Sequence, residues 1–154
     1  LYCKRVAVSV GLLSIRIFGL KSNLGQKYAF SLGMAFQITN IVRDFNEDLK
    51  IERCYLPLEL IKKYKIEKNL KLLKNNPNLQ NILQDLLTEA NMYFLESDKL
   101  SESFDKKNIV GSEVMKLFYR TLHKKMFKKK IDLNKKISLN LIDKFIIFIR
   151  FALR

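Results

Sequence analysis

The sequence predicts an all-α protein. Only 5 Gly and 2 Pro punctuate 154 residues, 48% of the chain is hydrophobic, and long runs of Leu, Ile and Lys recur along it. A chain of this length buries a substantial single core, and it shows no internal repeat and no second domain boundary, so residues 1–154 read as one helical domain. The first helix is expected near 1–18. Ser22-Asn23 then supplies the start signal for a long helix over 24–50. A short helix near 57–64 follows, and Asn75-Asn-Pro-Asn78 breaks the chain before a helix over 78–104. Two more are expected near 108–129 and 138–152. The apolar run from Phe145 to Leu153 is too short and too interrupted to span a bilayer.

The 24–50 helix carries the chemistry. The chain has a formal net charge of +14, yet Asp44, Glu47 and Asp48 fall within five positions of each other. At about 100° per residue, Gln37, Asn40, Asp44 and Asp48 lie at roughly 0°, 300°, 340° and 20° around a helix, in one narrow arc. Asp44 and Asp48 stand about 6 Å apart along the axis, a spacing that suits Mg²⁺ ions bridging to diphosphate oxygens. The amides of Gln37 and Asn40 are hard partners for the same shell. Met34, Ile38, Ile41, Val42, Phe45 and Leu49 occupy the adjacent arc, as on a helix that lines a cavity. The competing reading of such an acidic stripe is a solvated helix face.

Residues 32–48, Leu-Gly-Met-Ala-Phe-Gln-Ile-Thr-Asn-Ile-Val-Arg-Asp-Phe-Asn-Glu-Asp, resemble the second aspartate-rich motif of the squalene/phytoene synthase family. Arg53-Cys-Tyr-Leu-Pro57 resembles the segment that trails it, and Tyr2-Cys-Lys-Arg-Val-Ala-Val-Ser-Val-Gly11 the segment upstream. Tyr119-Arg-Thr-Leu and the basic stretch from Lys136 to Lys144 are similar to the family's C-terminal part, so ordered matches cover nearly the whole chain. The resemblance implies an isoprenoid-synthase-type helical bundle around a central cavity, lacking its N-terminal helices here. The 13–19 and C-terminal stretches look most like presqualene diphosphate synthases.

By resemblance, Asp44 and Asp48, with Asn40 beside them, hold Mg²⁺ against a diphosphate. Gln37, Arg53, Tyr55, Tyr119 and Lys136 lie near that diphosphate. Arg43 steadies the acidic cluster or contacts phosphate, and Tyr2 sits beside the reacting carbons. Ionising an allylic diphosphate needs the leaving group neutralised, and the cation left behind needs a dry, aromatic pocket.

Departures from the family pattern matter too. Val8 stands where many members carry a small residue, Glu52 where a glycine commonly precedes the arginine, and Lys136 where Arg is usual. The chain starts on Leu1 and lacks the family's upstream Asp-x-x-x-Asp, as a fragment or processed chain would, so the chain alone is expected to be inactive.

The implied function is Mg²⁺-dependent head-to-head condensation of two farnesyl diphosphates to presqualene diphosphate, within a longer enzyme. The alternatives are phytoene synthesis from geranylgeranyl diphosphate and a helical scaffold that has lost its chemistry. No nucleotide-binding motif argues for NADPH. Cys3, Cys54 and the single His123 have no metal-ligand spacing, which leaves zinc and Cys–His catalysis without support. A basic cluster from Lys124 to Lys136 reads first as a solvated surface and second as a contact for anionic lipid. Nucleic-acid binding lacks a recognition motif. The expected location is the cytoplasm, with peripheral contact to the inner face of the membrane.

Overall fold

The computed structural model describes all residues except 68, 128–130, 134–136 and 153–154. Among the described residues the elements are helices only. A π-helical turn, Lys4–Val8, runs into α1 (Ser9–Ile17). The others are α2 (Asn23–Arg43), α3 (Phe45–Lys50), α4 (Leu58–Lys63), α5 (Leu70–Leu73), α6 (Leu79–Ser101), α7 (Lys106–Phe127) and α8 (Leu141–Ala152). Ser22 caps α2 as the sequence predicts, its Oγ accepting from the Gly25 N–H at 3.1 Å. α5 was not expected.

The single helix expected over 24–50 is a correction. Asp44, at φ −94° and ψ 3°, closes α2 and opens α3. Helical hydrogen bonds nevertheless bridge the joint: the Asp44 N–H donates to the Asn40 carbonyl and the Asp48 N–H to the Asp44 carbonyl, each at 2.8 Å. Asp48 therefore still follows Asp44 by one turn.

The core forms where α2 lies along α6. Ile38, Ile41 and Val42 of α2 and Phe45 of α3 share one buried cluster with Ile82, Leu83, Leu86 and Leu87 of α6. Removing one of these Leu side chains would cost about 2–5 kcal/mol. A second cluster joins Ile15 of α1, Tyr28, Ala29 and Leu32 of α2 and Ile109 of α7. The N-terminal turn approaches α2 at backbone distance, because a Cβ built on Gly33 would stand 2.9 Å from Val8 Cα. Val8 is itself buried there, so the larger residue is accommodated by Gly33 opposite.

Between the N-terminal turn and α1, α2 and α7 lies a cavity of about 360 Å³. Val6, Val10, Leu32 and Phe36 supply apolar wall, and Gln37, Asn40 and Tyr119 its polar end. The protein is thus a helical bundle around a cavity.

Candidate functional site

The site is assembled along the C-terminal half of α2. Its i, i+3, i+4 spacing turns Phe36, Gln37 and Asn40 toward the cavity, while Ile38, Ile41 and Val42 go into the core. Tyr119 comes from α7 and stacks on Phe36, with ring centroids 4.2 Å apart and planes at 17°. Asn40 Nδ2 donates to the Tyr119 hydroxyl at 3.3 Å. Asn40 Oδ1 is buried and has no hydrogen-bond partner among the described residues. A buried amide oxygen without a partner costs about 1–3 kcal/mol, and this one has the capacity to accept a further donor or a cation.

One turn on, Arg43 grips Asp44 with a bidentate pair, Nε to Oδ1 at 2.7 Å and Nη2 to Oδ2 at 2.6 Å. That bond raises the Arg43 pKa. The Arg43 guanidinium is therefore engaged by the neighbouring Asp44. The Asp48 carboxyl is pushed up from the usual range, first by partial burial and then by Asp44, against a lowering by Arg53. Arg53 is also tied to Asp48 through its backbone, its N–H donating to the Asp48 carbonyl at 2.9 Å.

Glu52 adopts φ 57°, the left-handed region that a glycine enters without penalty. Beyond it, Tyr55 stacks on Tyr2 with centroids 4.3 Å apart and planes at 19°. Burial and the neighbouring Tyr55 hold the Tyr2 phenol above its ordinary pKa, with Asp48 adding to the shift, so it stays protonated. Tyr2, Tyr55, Asp48 and Arg53 thus make one neighbourhood. Asn40, Gln37 and Tyr119 make another, next to the cavity, and Arg43–Asp44 lies between them along the chain. Lys136 falls outside the described residues.

Among the described residues, no three of His, Cys, Asp or Glu surround a common point. Cys3 and Cys54 are free and half-buried, and burial raises the Cys3 thiol. His123 is buried with Nε2 2.8 Å from the Leu87 carbonyl, and burial lowers its pKa, which makes it a neutral core residue. No helix of the described residues is long and apolar enough to cross a membrane.

Two features went unforeseen. Phe36 stands in the motif but carries no assignment there, and its stack on Tyr119 and its place in the cavity lining mark it as cavity wall. The second is an ion network in which buried Lys116 bonds Glu113 at 2.5 Å and Asp98 at 3.0 Å. Arg120 also pairs with Asp98, and the Tyr28 hydroxyl donates to Glu113 at 2.9 Å. The Glu113/Lys116 spacing is ordinary on any helix and carries no signal by itself.

Comparison with known proteins gives an ordered match. Residues 1–142 match the family model of squalene/phytoene synthase. A presqualene diphosphate synthase of Zymomonas mobilis is 37% identical over 142 residues, which cover 88% of this chain and 49% of the relative. The presqualene diphosphate synthase of Rhodopseudomonas palustris is 36% identical over 123 residues, 79% of this chain and 44% of its own length. A 15-cis-phytoene synthase of Pantoea ananas is 38% identical over 97 residues, 62% of this chain and 31% of the relative. The chain spans about half the length of the curated relatives it matches.

Proposed function

The chain belongs to the squalene/phytoene synthase family, and on that footing we propose that it forms the diphosphate-holding wall of an enzyme joining two farnesyl diphosphates head to head. The product is presqualene diphosphate, and one diphosphate and one proton leave as the cyclopropane ring closes. The carrying observation is the unpartnered, buried Asn40 Oδ1 at the polar end of an apolar cavity, one helical turn before Asp44.

The donor set fits Mg²⁺. Asp44, Asp48 and Asn40 offer only hard oxygens, and a cation that keeps several waters needs no more than one or two carboxylates. Bound by these residues, Mg²⁺ would supply positive charge to neutralise a leaving diphosphate. Arg43 fixes the Asp44 carboxylate in one orientation, and Arg53 holds Asp48 toward its ionised form despite partial burial. The Phe36–Tyr119 stack gives the substrate chain a rigid wall, and Val6, Val10 and Leu32 give the cavity an apolar lining suited to a prenyl chain. The Tyr2–Tyr55 stack presents ring faces that stabilise positive charge, and the protonated Tyr2 phenol donates a hydrogen bond. Membrane contact suits an enzyme with a lipid-soluble product.

The test uses a protein of the relatives' length that carries this chain. With farnesyl diphosphate and Mg²⁺ it releases diphosphate, and Asp48→Ala abolishes the release. Unchanged turnover in the variant would remove the metal assignment. For the 154-residue chain by itself, which supplies one such carboxylate pair, the expected result is no turnover, and measurable turnover would contradict that expectation. A second reading is phytoene formation from geranylgeranyl diphosphate, favoured by the match to phytoene synthases. Product analysis with both substrates separates the two.

A further inference from the structure

The middle of α7 is held by charge where helices are ordinarily held by apolar packing. Among the described residues between Ile109 and Leu122, Lys116 alone is buried. Its side chain is 3% exposed, and its ammonium pairs with Glu113 of the same helix and with Asp98 Oδ1 of α6 at 3.0 Å. Asp98 Oδ2 takes Arg120, one turn further along α7. The Arg120 guanidinium lies over the Phe94 ring, 5.3 Å from its centroid, and its Nε is buried without a partner among the described residues. One carboxylate of α6 thus ties down two successive turns of α7. A lysine is buried in its charged form only beside a carboxylate, and charged hydrogen bonds fix direction as apolar contacts do not.

Tyr119 sits between those two turns. At about 100° per residue, Lys116, Tyr119 and Arg120 fall at roughly 0°, 300° and 40° around α7, so Tyr119 points well away from the side held to α6. It reaches α2 instead, stacking on Phe36 and accepting from Asn40 Nδ2. Rotating α7 by about 20° would carry a group about 6 Å from its axis through roughly 2 Å. The Asn40 bond, already at 3.3 Å, has no such slack. Earlier on α7 the same ion cluster meets α2 directly, where the Tyr28 hydroxyl donates to Glu113.

We propose that Asp98 is a positioning residue. By holding Lys116 and Arg120 to α6, it sets the rotation of α7 that keeps the Tyr119 hydroxyl on Asn40, and with it the direction of Asn40 Oδ1. Asp98 acts through Tyr119 and Asn40, not on the substrate. Its consequence for the metal rests on the function proposed above, whereas the placement of Tyr119 does not.

The test uses a protein of the relatives' length that carries this chain, labelled with 3-fluorotyrosine. The Tyr119 fluorine resonance is identified by its loss in Tyr119→Phe, and the stacked Phe36 ring displaces it from the free amino acid's position. Asp98→Asn keeps the shape of the side chain and removes its charge. In the metal-free protein it should move the resonance toward that of free fluorotyrosine. It should also raise the Mg²⁺ concentration for half-maximal diphosphate release at least about threefold, short of the roughly tenfold or more that follows loss of a ligand's direct partner. Asp98→Glu, which keeps the charge, should restore both readouts. Leu79→Ala, buried at the far end of α6, should lower stability and move neither. Arg120→Gln removes one of the two bonds and should move both readouts the same way, so the test stands even where Asp98→Asn does not fold. A resonance that stays in place in these variants would overturn the proposal, as would equal shifts in Leu79→Ala. A resonance that moves while the Mg²⁺ requirement is unchanged would break the link to Asn40. A resonance that moves in a protein whose parent releases no diphosphate would uphold the placement of Tyr119 and overturn the proposed function instead.

Discussion

Gly33→Ala is a one-methyl change whose cost follows from backbone geometry. The added Cβ would lie 2.9 Å from Val8 Cα, 3.0 Å from Val8 N and 3.1 Å from Ala7 C. The tightest of these is about half an ångström inside ordinary contact, and all three neighbours are backbone atoms that no rotamer change can move. Overpacking costs about 1–3 kcal/mol, and an immovable neighbour puts this site in the upper half of that range. Replacing a helical glycine by alanine returns about 1 kcal/mol, so the net loss is about 1–2 kcal/mol. At this chain length that lowers the thermal midpoint by roughly 2–8 °C. The N-terminal turn must also lift from α2, taking Tyr2 off Tyr55, so the near-ultraviolet tyrosine circular dichroism should fall. Gly111→Ala is the control. It too is helical, but its Cβ would meet nothing within 4 Å, so it gains about 1 kcal/mol and raises the midpoint by roughly 2–4 °C. A Gly33→Ala variant as stable as the parent, beside the expected gain at Gly111, would refute the backbone contact. Val8→Gly should not rescue Gly33→Ala, because the clash is with the Val8 main chain.

Other outcomes follow from the turn and the acidic cluster. Glu52→Gly removes a left-handed strain of about 1–2 kcal/mol and adds about 0.5–1 kcal/mol of chain entropy cost, for a net gain of about 0.5–1 kcal/mol in urea unfolding. Asp48→Asn should raise stability at neutral pH while removing diphosphate binding. Its carboxyl is held above the usual range in the fold, so ionisation disfavours the folded state at pH above the folded pKa. The gain should vanish as pH falls below the ordinary aspartate range, which a series of thermal melts reads directly. His123 works in the opposite sense to a stabilising histidine. Its pKa is depressed in the fold, so stability declines as pH falls through the ordinary histidine range, and His123→Gln should flatten that part of the profile.

Much of this was legible residue by residue. The Ser22 cap, the break at Asn75–Asn78 and the apolar arc of α2 are local, and local chemistry appears in the chain itself. The joint at Asp44 was not, because the i→i−4 bonds that define a helical pattern continue through it and only the dihedrals change. The four-residue α5 is too short to leave a periodic signature. The left-handed Glu52 was signalled by the glycine it replaces, but the bidentate Arg43–Asp44 bond needed the side-chain geometry. Contacts such as Asn40 with Tyr119, 79 positions apart, depend on how α2 and α7 cross. No spacing rule reaches that far. The apolar run of α8 was legible, but its exposure depends on which side of the helix Asp143 ties to Lys125.

The most direct measurement is calorimetric titration of this chain with a non-hydrolysable farnesyl diphosphate analogue, with and without Mg²⁺, in the parent and in Asp48→Ala. Binding that needs Mg²⁺ and is lost in the variant is the predicted result. Binding of equal strength without the metal, or in the variant, would contradict the assignment of Asp44, Asp48 and Asn40 as the diphosphate's metal-holding wall.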